Sequence, residues 1–204
     1  IDALFFGRDA HLNNEFERLF KSLFKKAEPY IQVIETLASS IYGMSRDEIV
    51  EKTRITSGSQ LTLILRDLEN CDYIRHFRTR GKKIRENQHI YQIIDMFTMF
   101  HFRFCRKETT DENFWQNSIN TPAVNAWAGL AFERICFLHI PQIKKALGID
   151  RIRTEYYSWR STISEPKSQI DLAIERADRM INICEIKFCD APYSISKDED
   201  MKLR

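Results

Sequence analysis

Apolar residues recur at three- and four-residue spacing over several stretches of the chain, which predicts amphipathic helices. The first stretch covers residues 9–26. The second follows Pro29, a residue type favoured in the first turn of a helix. The third follows Ser57-Gly58-Ser59. The side chains expected to be buried on these helices are Leu12, Phe16, Leu19, Phe20, Leu23 and Phe24, then Tyr30, Ile31, Ile34 and Leu37, then Leu61, Ile64, Leu65 and Leu68.

A short helix and two strands complete the pattern of the first half of the chain. Ser45-Arg46-Asp47-Glu48 has the form of a capping box and predicts a helix that continues through Ile49 and Val50. Residues 73–77 and 90–93 are rich in β-branched and aromatic side chains and predict two strands. Helices followed by two strands in this order indicate an all-helical winged helix-turn-helix domain. We assign it residues 29–106, with residues 1–28 as a preceding linker helix whose apolar start docks elsewhere.

The loop between the two predicted strands is strongly basic and has no acidic residue before Glu86. On the tip of a wing it would contact nucleic-acid phosphates, while the start of the third helix would approach the bases. A module for protein or interdomain contacts is the alternative, since the third helix has no Arg or Lys before Arg66. The candidate nucleic-acid-binding residues are Arg78, Arg80, Lys82, Lys83 and Arg85 in the loop and Ser59 and Gln60 on the helix.

Residues 91–105 are dominated by Phe and Met. A helix here would be apolar over most of its circumference, so we expect it to be buried between domains. The aromatic rings could instead stack on bases, but core packing is the favoured role. The polar residues 107–113 mark the expected domain boundary.

The second domain is assigned to residues 114–204. Thr121-Pro122 predicts the start of a long helix that extends to residue 140, and a further helix is expected to stop at Gly148. Residues 151–159 predict a strand. This order predicts a small α/β domain with a mixed sheet and an α+β class for the whole chain. The long helix is expected to bury Val124, Trp127, Ala128, Ala131, Ile135 and Leu138.

A β-hairpin is predicted where residues 169–175 and 181–188 flank a polar turn. With a five-residue turn, Asp171 lies opposite Glu185 and Gln169 lies opposite Lys187, so all four side chains share one face. A two-residue turn at Ala177-Asp178 would place Asp171 opposite Cys184 and separate them. We favour the five-residue turn because it collects the polar groups in one place.

Such a cluster has a chemical use. One or two carboxylates commonly hold Mg²⁺ together with waters and phosphate oxygens. A neighbouring Lys can orient a water or stabilise charge on a phosphoryl group. The hairpin therefore predicts a metal-dependent phosphodiester-cleaving site at Asp171, Glu185 and Lys187. The alternative is a solvated hairpin whose charged side chains only face water.

Composition narrows the cellular setting. The chain has 204 residues and a net charge of +2, so any nucleic-acid footprint must come from local patches. Its five cysteines form no C-x-x-C pair, which favours reduced thiols in a cytoplasmic protein. No apolar run is long enough to span a membrane. The abrupt apolar start and charged end are typical of a fragment of a longer protein.

Asp171 followed by Glu185-Ile186-Lys187 resembles the motif of PD-(D/E)XK nucleases, although Ile170 stands where that motif often has Pro. The resemblance implies a supporting acid on a preceding helix, which here is Glu133, unless Glu133 is a plain exposed helix residue. It implies that Asp171 and Glu185 bind Mg²⁺, that Lys187 orients the attacking water, and that Gln169 hydrogen-bonds a phosphate or water.

Nearly the whole chain also resembles the C-terminal half of an archaeal-type AAA ATPase family. The resemblance is carried by the helix-turn-helix, by residues 91–97, 127–133 and 139–149, and by the hairpin motif. It implies an N-terminal P-loop ATPase domain that would bind ATP, because this chain has no G-x-x-x-x-G-K-[ST]. The rival to a nuclease is a non-catalytic DNA- or protein-binding module. A dimerisation domain, and with it an oligomer, is a third alternative.

Overall fold

The structure is a computed structural model that describes residues 1–7, 10–12, 14–55, 58–78, 89–106, 109, 111–160, 169–189, 191–197 and 200–201. The described part of the chain is α+β, with helices and two small antiparallel sheets. The elements are α1 (Asp2–Phe5), α2 (Glu15–Leu23), α3 (Glu28–Ala38), β1 (Met44–Ser45), α4 (Arg46–Thr53), α5 (Gly58–Asn70), β2 (Ile74–Arg78), β3 (His89–Ile93), α6 (Met96–Phe100), a π-helical segment (His101–Cys105), α7 (Phe114–Ser118), α8 (Pro122–Leu138), α9 (Ile140–Ala146), β4 (Thr154–Arg160), β5 (Gln169–Arg176) and β6 (Ile181–Cys184).

The largest core lies among α2, α3, α4 and α5 and the first sheet. The four side chains predicted to be buried on the third helix, now α5, are all buried. Phe16 and Phe20 of α2 and Phe24 after it belong to the same core as Ile34 and Leu37 of α3. This core therefore contains residues from both sides of the boundary that the sequence placed at residue 28.

The first sheet has the strand order β1-β3-β2, with antiparallel pairing throughout. Ser45 ends β1 and also caps α4. Its hydroxyl accepts a hydrogen bond from the Glu48 backbone N–H at 3.3 Å, and the Glu48 carboxylate accepts one from the Ser45 N–H at 2.7 Å. The predicted capping box is confirmed, and it fixes the angle at which the chain leaves the sheet.

An aromatic cluster joins the start of the chain to α6, the π-helical segment, α7 and α8. The ring of Phe6 lies 4.7 Å from Phe114 and 6.1 Å from Phe100, and Phe100 lies 5.7 Å from Trp127. The apolar start of the chain docks within the described structure, as one of the expected alternatives. The apolar helix predicted over residues 91–105 begins only at Met96, because residues 91–93 belong to β3.

The second sheet has the order β4-β5-β6, and its described strands are all antiparallel. The mixed sheet predicted from sequence is therefore not found among the described strands. One face of this sheet packs on α8 and α9 through Leu172 and Ile174 of β5, Phe137 and Ile140. None of the described helices is long and apolar enough to cross a membrane.

The buried side of α8 differs from the prediction. Ile135 and Leu138 are 41% and 44% exposed, whereas Arg134 is only 4% exposed. α8 carries apolar residues around most of its circumference, so periodicity alone could not select the buried stripe. The contacts made by Phe137 with the second sheet and by Trp127 with the aromatic cluster orient the helix instead.

Candidate functional site

The β5–β6 hairpin has the register that the five-residue turn predicts. Glu175 pairs with Ile181 and Ala173 pairs with Ile183. The backbone N–H of Arg176 donates to the Met180 carbonyl at 2.8 Å and closes the turn. The prediction is confirmed, and it places Asp171 and Glu185 on one side of the hairpin axis.

The second strand is shorter than predicted, because β6 ends at Cys184 and Glu185 lies just beyond it. The Asp171 carboxylate accepts a hydrogen bond from the Ile186 backbone N–H at 2.9 Å. A side chain thus takes the place of a ladder contact at the open end of the hairpin. This bond fixes the segment from Glu185 to Lys187 against β5.

Lys187 and Glu185 form a close ion pair, with Lys187 Nζ 2.6 Å from a Glu185 carboxylate oxygen. Hydrogen bonding to Glu185 raises the pKa of Lys187 above its ordinary value, against the opposing effect of burial. Lys187 is therefore a cation at neutral pH. It neutralises part of the negative charge at this end of the hairpin.

Glu133 projects from α8 toward the same place. Burial raises the pKa of Glu133, and the negative charges of Asp171 and Glu185 raise it further, while Arg134 and Lys187 lower it. Glu133 therefore lies within the electrostatic reach of all three hairpin residues. The predicted condition for a site role, that α8 lies beside the hairpin, is met.

A groove of about 450 Å³ runs beside this cluster. Its walls include Phe132 and Cys136 of α8, Glu185 and Lys187 after β6, and Tyr193 further along the chain. The ring of Phe132 lies 5.9 Å from the ring of Phe188. The groove gives a substrate access to Glu185 and Lys187 from solvent.

The donor set fits a hard divalent cation only in part. In the described chain, no group of three or more His, Cys, Asp or Glu side chains is arranged to hold a metal ion. Two carboxylates are nevertheless enough for Mg²⁺, which keeps most of its waters. Asp171 and Glu185 supply two, and the mutual repulsion recorded at Glu133 is what a bound cation would relieve.

The predicted nucleic-acid-binding residues are only partly within the described structure. Ser59 and Gln60 are exposed at the start of α5. They lie on a helix of the first core, so they are not part of the Glu133–Asp171–Glu185–Lys187 cluster. Arg80, Lys82, Lys83 and Arg85 lie outside the described residues, as do the side chains of Arg78 and Gln169.

Three residues near these sites were missed by sequence reasoning. Arg46 of α4 donates to the Gly58 carbonyl at 2.7 Å and to the Thr62 hydroxyl at 2.9 Å, which places a cation at the start of α5. Arg134 lies 3.7 Å from the Glu133 carboxylate. Tyr193 lines the groove. A sequence signal existed only for Arg134, which is seven residues from Trp127 and so shares its helix face.

The comparisons with known proteins leave the geometry to stand alone. No family model matches the chain, and neither a curated protein nor a solved structure is significantly similar to it.

Proposed function

We propose that the open end of the β5–β6 hairpin is a metal-dependent phosphodiester-cleaving site of the PD-(D/E)XK type, acting on DNA. The observation that carries the proposal is the convergence of Glu133, Asp171, Glu185 and Lys187, which come from a helix and a hairpin far apart in sequence. Three carboxylates and one ammonium group beside an open groove match the chemistry of phosphodiester hydrolysis.

Each residue has a role in this proposal. Asp171 and Glu185 would hold Mg²⁺, which when bound supplies positive charge to a scissile phosphate and lowers the pKa of a water. Lys187 orients the attacking water or stabilises negative charge on the phosphoryl group. Glu133 is the supporting acid, and its raised pKa makes it a proton acceptor that can act near neutral pH.

The proposal extends to the first half of the chain as a winged helix that positions DNA. Its support is the set of α3, α4 and α5 packed on the β1-β3-β2 sheet, with α5 presenting Ser59 and Gln60 at an exposed end. Arg46 adds a positive charge at that end. The basic loop that joins β2 to β3 would contact phosphates.

A non-catalytic module that binds DNA or protein is the second candidate. It is favoured by the close Lys187–Glu185 pair, which already satisfies one carboxylate, and by the lack of a three-ligand metal group among the described residues. In this case the hairpin cluster would be a structural ion-pair network, and only the winged helix would contact DNA.

One assay separates the two candidates. Labelled duplex and single-stranded DNA are incubated with the 204-residue chain and Mg²⁺ or Mn²⁺, and binding and cleavage are measured together. Asp171→Asn keeps an oxygen that can accept the Ile186 N–H bond, whereas Asp171→Ala loses that bond as well. A second variant replaces Arg80, Lys82, Lys83 and Arg85 with Ala.

We expect Asp171→Asn to bind DNA like the wild type but to cleave it about 100-fold more slowly or not at all. The loop variant should bind more weakly, with a salt dependence reduced by up to about 4 in logarithmic slope. Unchanged cleavage by Asp171→Asn would remove the hairpin from the active site. DNA binding without cleavage by any form would favour the non-catalytic module.

A further inference from the structure

A second, separate cavity lies between the two halves of the described structure. It has a volume of about 250 Å³ and is lined by the end of α3, by β3, by α6 and the π-helical segment, and by α8. Its apolar lining includes Leu37, Ile93, Met99, Phe102 and Leu130. The Glu133–Asp171–Glu185–Lys187 cluster lies elsewhere, since none of these four residues lines this cavity.

Two of the residues that line the cavity carry buried N–H groups without an acceptor. Trp127 Nε1 and Arg134 Nε are both buried, and neither has a hydrogen-bond partner within the described part of the chain. The two residues are seven positions apart on α8. They therefore share one helix face, with about 10 Å between their positions along the axis. Buried donors without acceptors are rare in folded proteins, so a pair of them in one cavity requires an explanation.

Arg134 is also incompletely neutralised. Its side chain is 5% exposed, and the Glu133 carboxylate lies 3.7 Å away, beyond the range of a hydrogen bond. Arg134 Nη2 donates to the Ile41 carbonyl at 2.9 Å. Burial lowers the pKa of Arg134 to about 10. A buried guanidinium group of this kind is normally matched by a carboxylate that accepts two of its N–H bonds.

We propose that this cavity binds a small carboxylate with an apolar body. The carboxylate would accept hydrogen bonds from the free N–H of Arg134, and an acceptor atom of the same ligand or a water bound to it would reach Trp127 Nε1. A dry cavity of about 150 Å³ accommodates benzene. This cavity is larger, so it suits a single aromatic ring or a chain of about six carbons that bears the acid group.

The rim of the cavity is accessible from solvent. Ile41, whose carbonyl already holds Arg134, lines the cavity and is 59% exposed. Ala126, one turn before Leu130 on α8, lines it as well and is also exposed. A ligand can therefore enter between the α3–β1 connection and α8. This inference does not depend on the proposed nuclease function.

The test is an NMR titration of the ¹⁵N-labelled 204-residue chain with hexanoate and with phenylacetate. Hexan-1-ol serves as the neutral control of similar size. The indole N–H signals report directly, and Trp127→Phe both assigns the Trp127 signal and removes its donor. Ala126→Phe narrows the cavity but leaves both N–H groups in place.

We expect saturable shifts of the Trp127 indole signal with the carboxylates and about tenfold weaker binding of hexan-1-ol, since a charged hydrogen bond is lost. Trp127→Phe should weaken hexanoate binding by about three- to tenfold, monitored at backbone signals of α8. Ala126→Phe should abolish it. The proposal is overturned if no probe shows saturable binding, which would indicate a cavity filled by water only, if hexan-1-ol binds as well as hexanoate, or if Ala126→Phe binds hexanoate unchanged.

Discussion

Glu133 is the residue at which the two regions of interest meet. On one side it faces the charges of Asp171, Glu185 and Lys187, and on the other it neighbours the buried Arg134. Burial is the largest influence on the pKa of Glu133, and it raises that pKa. The folded protein therefore holds the Glu133 proton up to a higher pH than the unfolded chain does.

This difference makes the stability depend on pH in a definite direction. Between the ordinary glutamate pKa and the raised pKa of Glu133, the folded state binds more protons than the unfolded state, so the free energy of unfolding falls as pH rises. Glu133→Gln removes this dependence. We expect the variant to be more stable than the wild type above the raised pKa, within about 1 kcal/mol.

The measurement is urea denaturation of both proteins over a pH series without divalent cations. The stability gain of Glu133→Gln should shrink as pH falls through the titration of Glu133 and vanish below the ordinary glutamate pKa. A gain that is equal at every pH, or a loss at neutral pH, would mean that the carboxylate is held comfortably in its ionised form.

At the scale of elements, the turn that leads into β1 depends on one glycine. Gly43 has φ +79°, and a Cβ atom at this position would lie 2.4 Å from the Tyr91 carbonyl oxygen and 2.8 Å from the Ile90 side chain. β3 therefore approaches the backbone of Gly43 as closely as the absence of a side chain permits. Gly129 offers a contrast, since it lies inside α8 with no atom within 4 Å of the corresponding position.

We expect Gly43→Ala to lower the free energy of unfolding by about 2 kcal/mol or more, because it adds both backbone strain and a steric overlap. Gly129→Ala should instead raise stability by about 0.5–1 kcal/mol, since Ala is favoured over Gly inside a helix. Denaturant midpoints of the two variants and the wild type test this pair. Similar effects of the two substitutions would contradict the close packing of β3 on Gly43.

Local patterns predicted the elements whose determinants lie close together in sequence. The apolar spacing identified the buried face of α5, Ser45 and Glu48 gave the start of α4, and the length of the turn gave the register of β5 and β6. Each of these depends on hydrogen bonds or burial within a few residues or between neighbouring strands.

Contacts between distant segments were not predictable in the same way. β6 ends early because the carboxylate of Asp171 takes the N–H of Ile186, fifteen residues away. The burial of Arg134 depends on the Ile41 carbonyl, ninety-three residues away. The helical pattern of α8 contains neither partner. For the candidate site, the residue types followed from a short motif, but the approach of Glu133 required the packing of α8.

At the scale of the whole molecule, α8 connects the separate parts. Trp127 contributes to the aromatic cluster, Phe137 to the core beneath the second sheet, and Glu133 to the charged cluster. Arg134 extends from the same helix to the Ile41 carbonyl of the first half. Any movement of the first half that shifts Arg134 would therefore alter the electrostatic surroundings of Glu133. This gives a physical route by which DNA bound at the winged helix could influence the hairpin site.

The central claim is that Asp171 and Glu185 form a cation site, and calorimetric titration of Mn²⁺ or Mg²⁺ into the 204-residue chain tests it most directly. Asp171→Asn removes one ligand charge at the site. Asp178→Asn is the matched control, because Asp178 is a carboxylate of the same hairpin that pairs with Arg176 in the turn. We predict saturable binding to the wild type and to Asp178→Asn, and its loss in Asp171→Asn. The absence of saturable binding to the wild type, or equal binding to all three proteins, would contradict the claim.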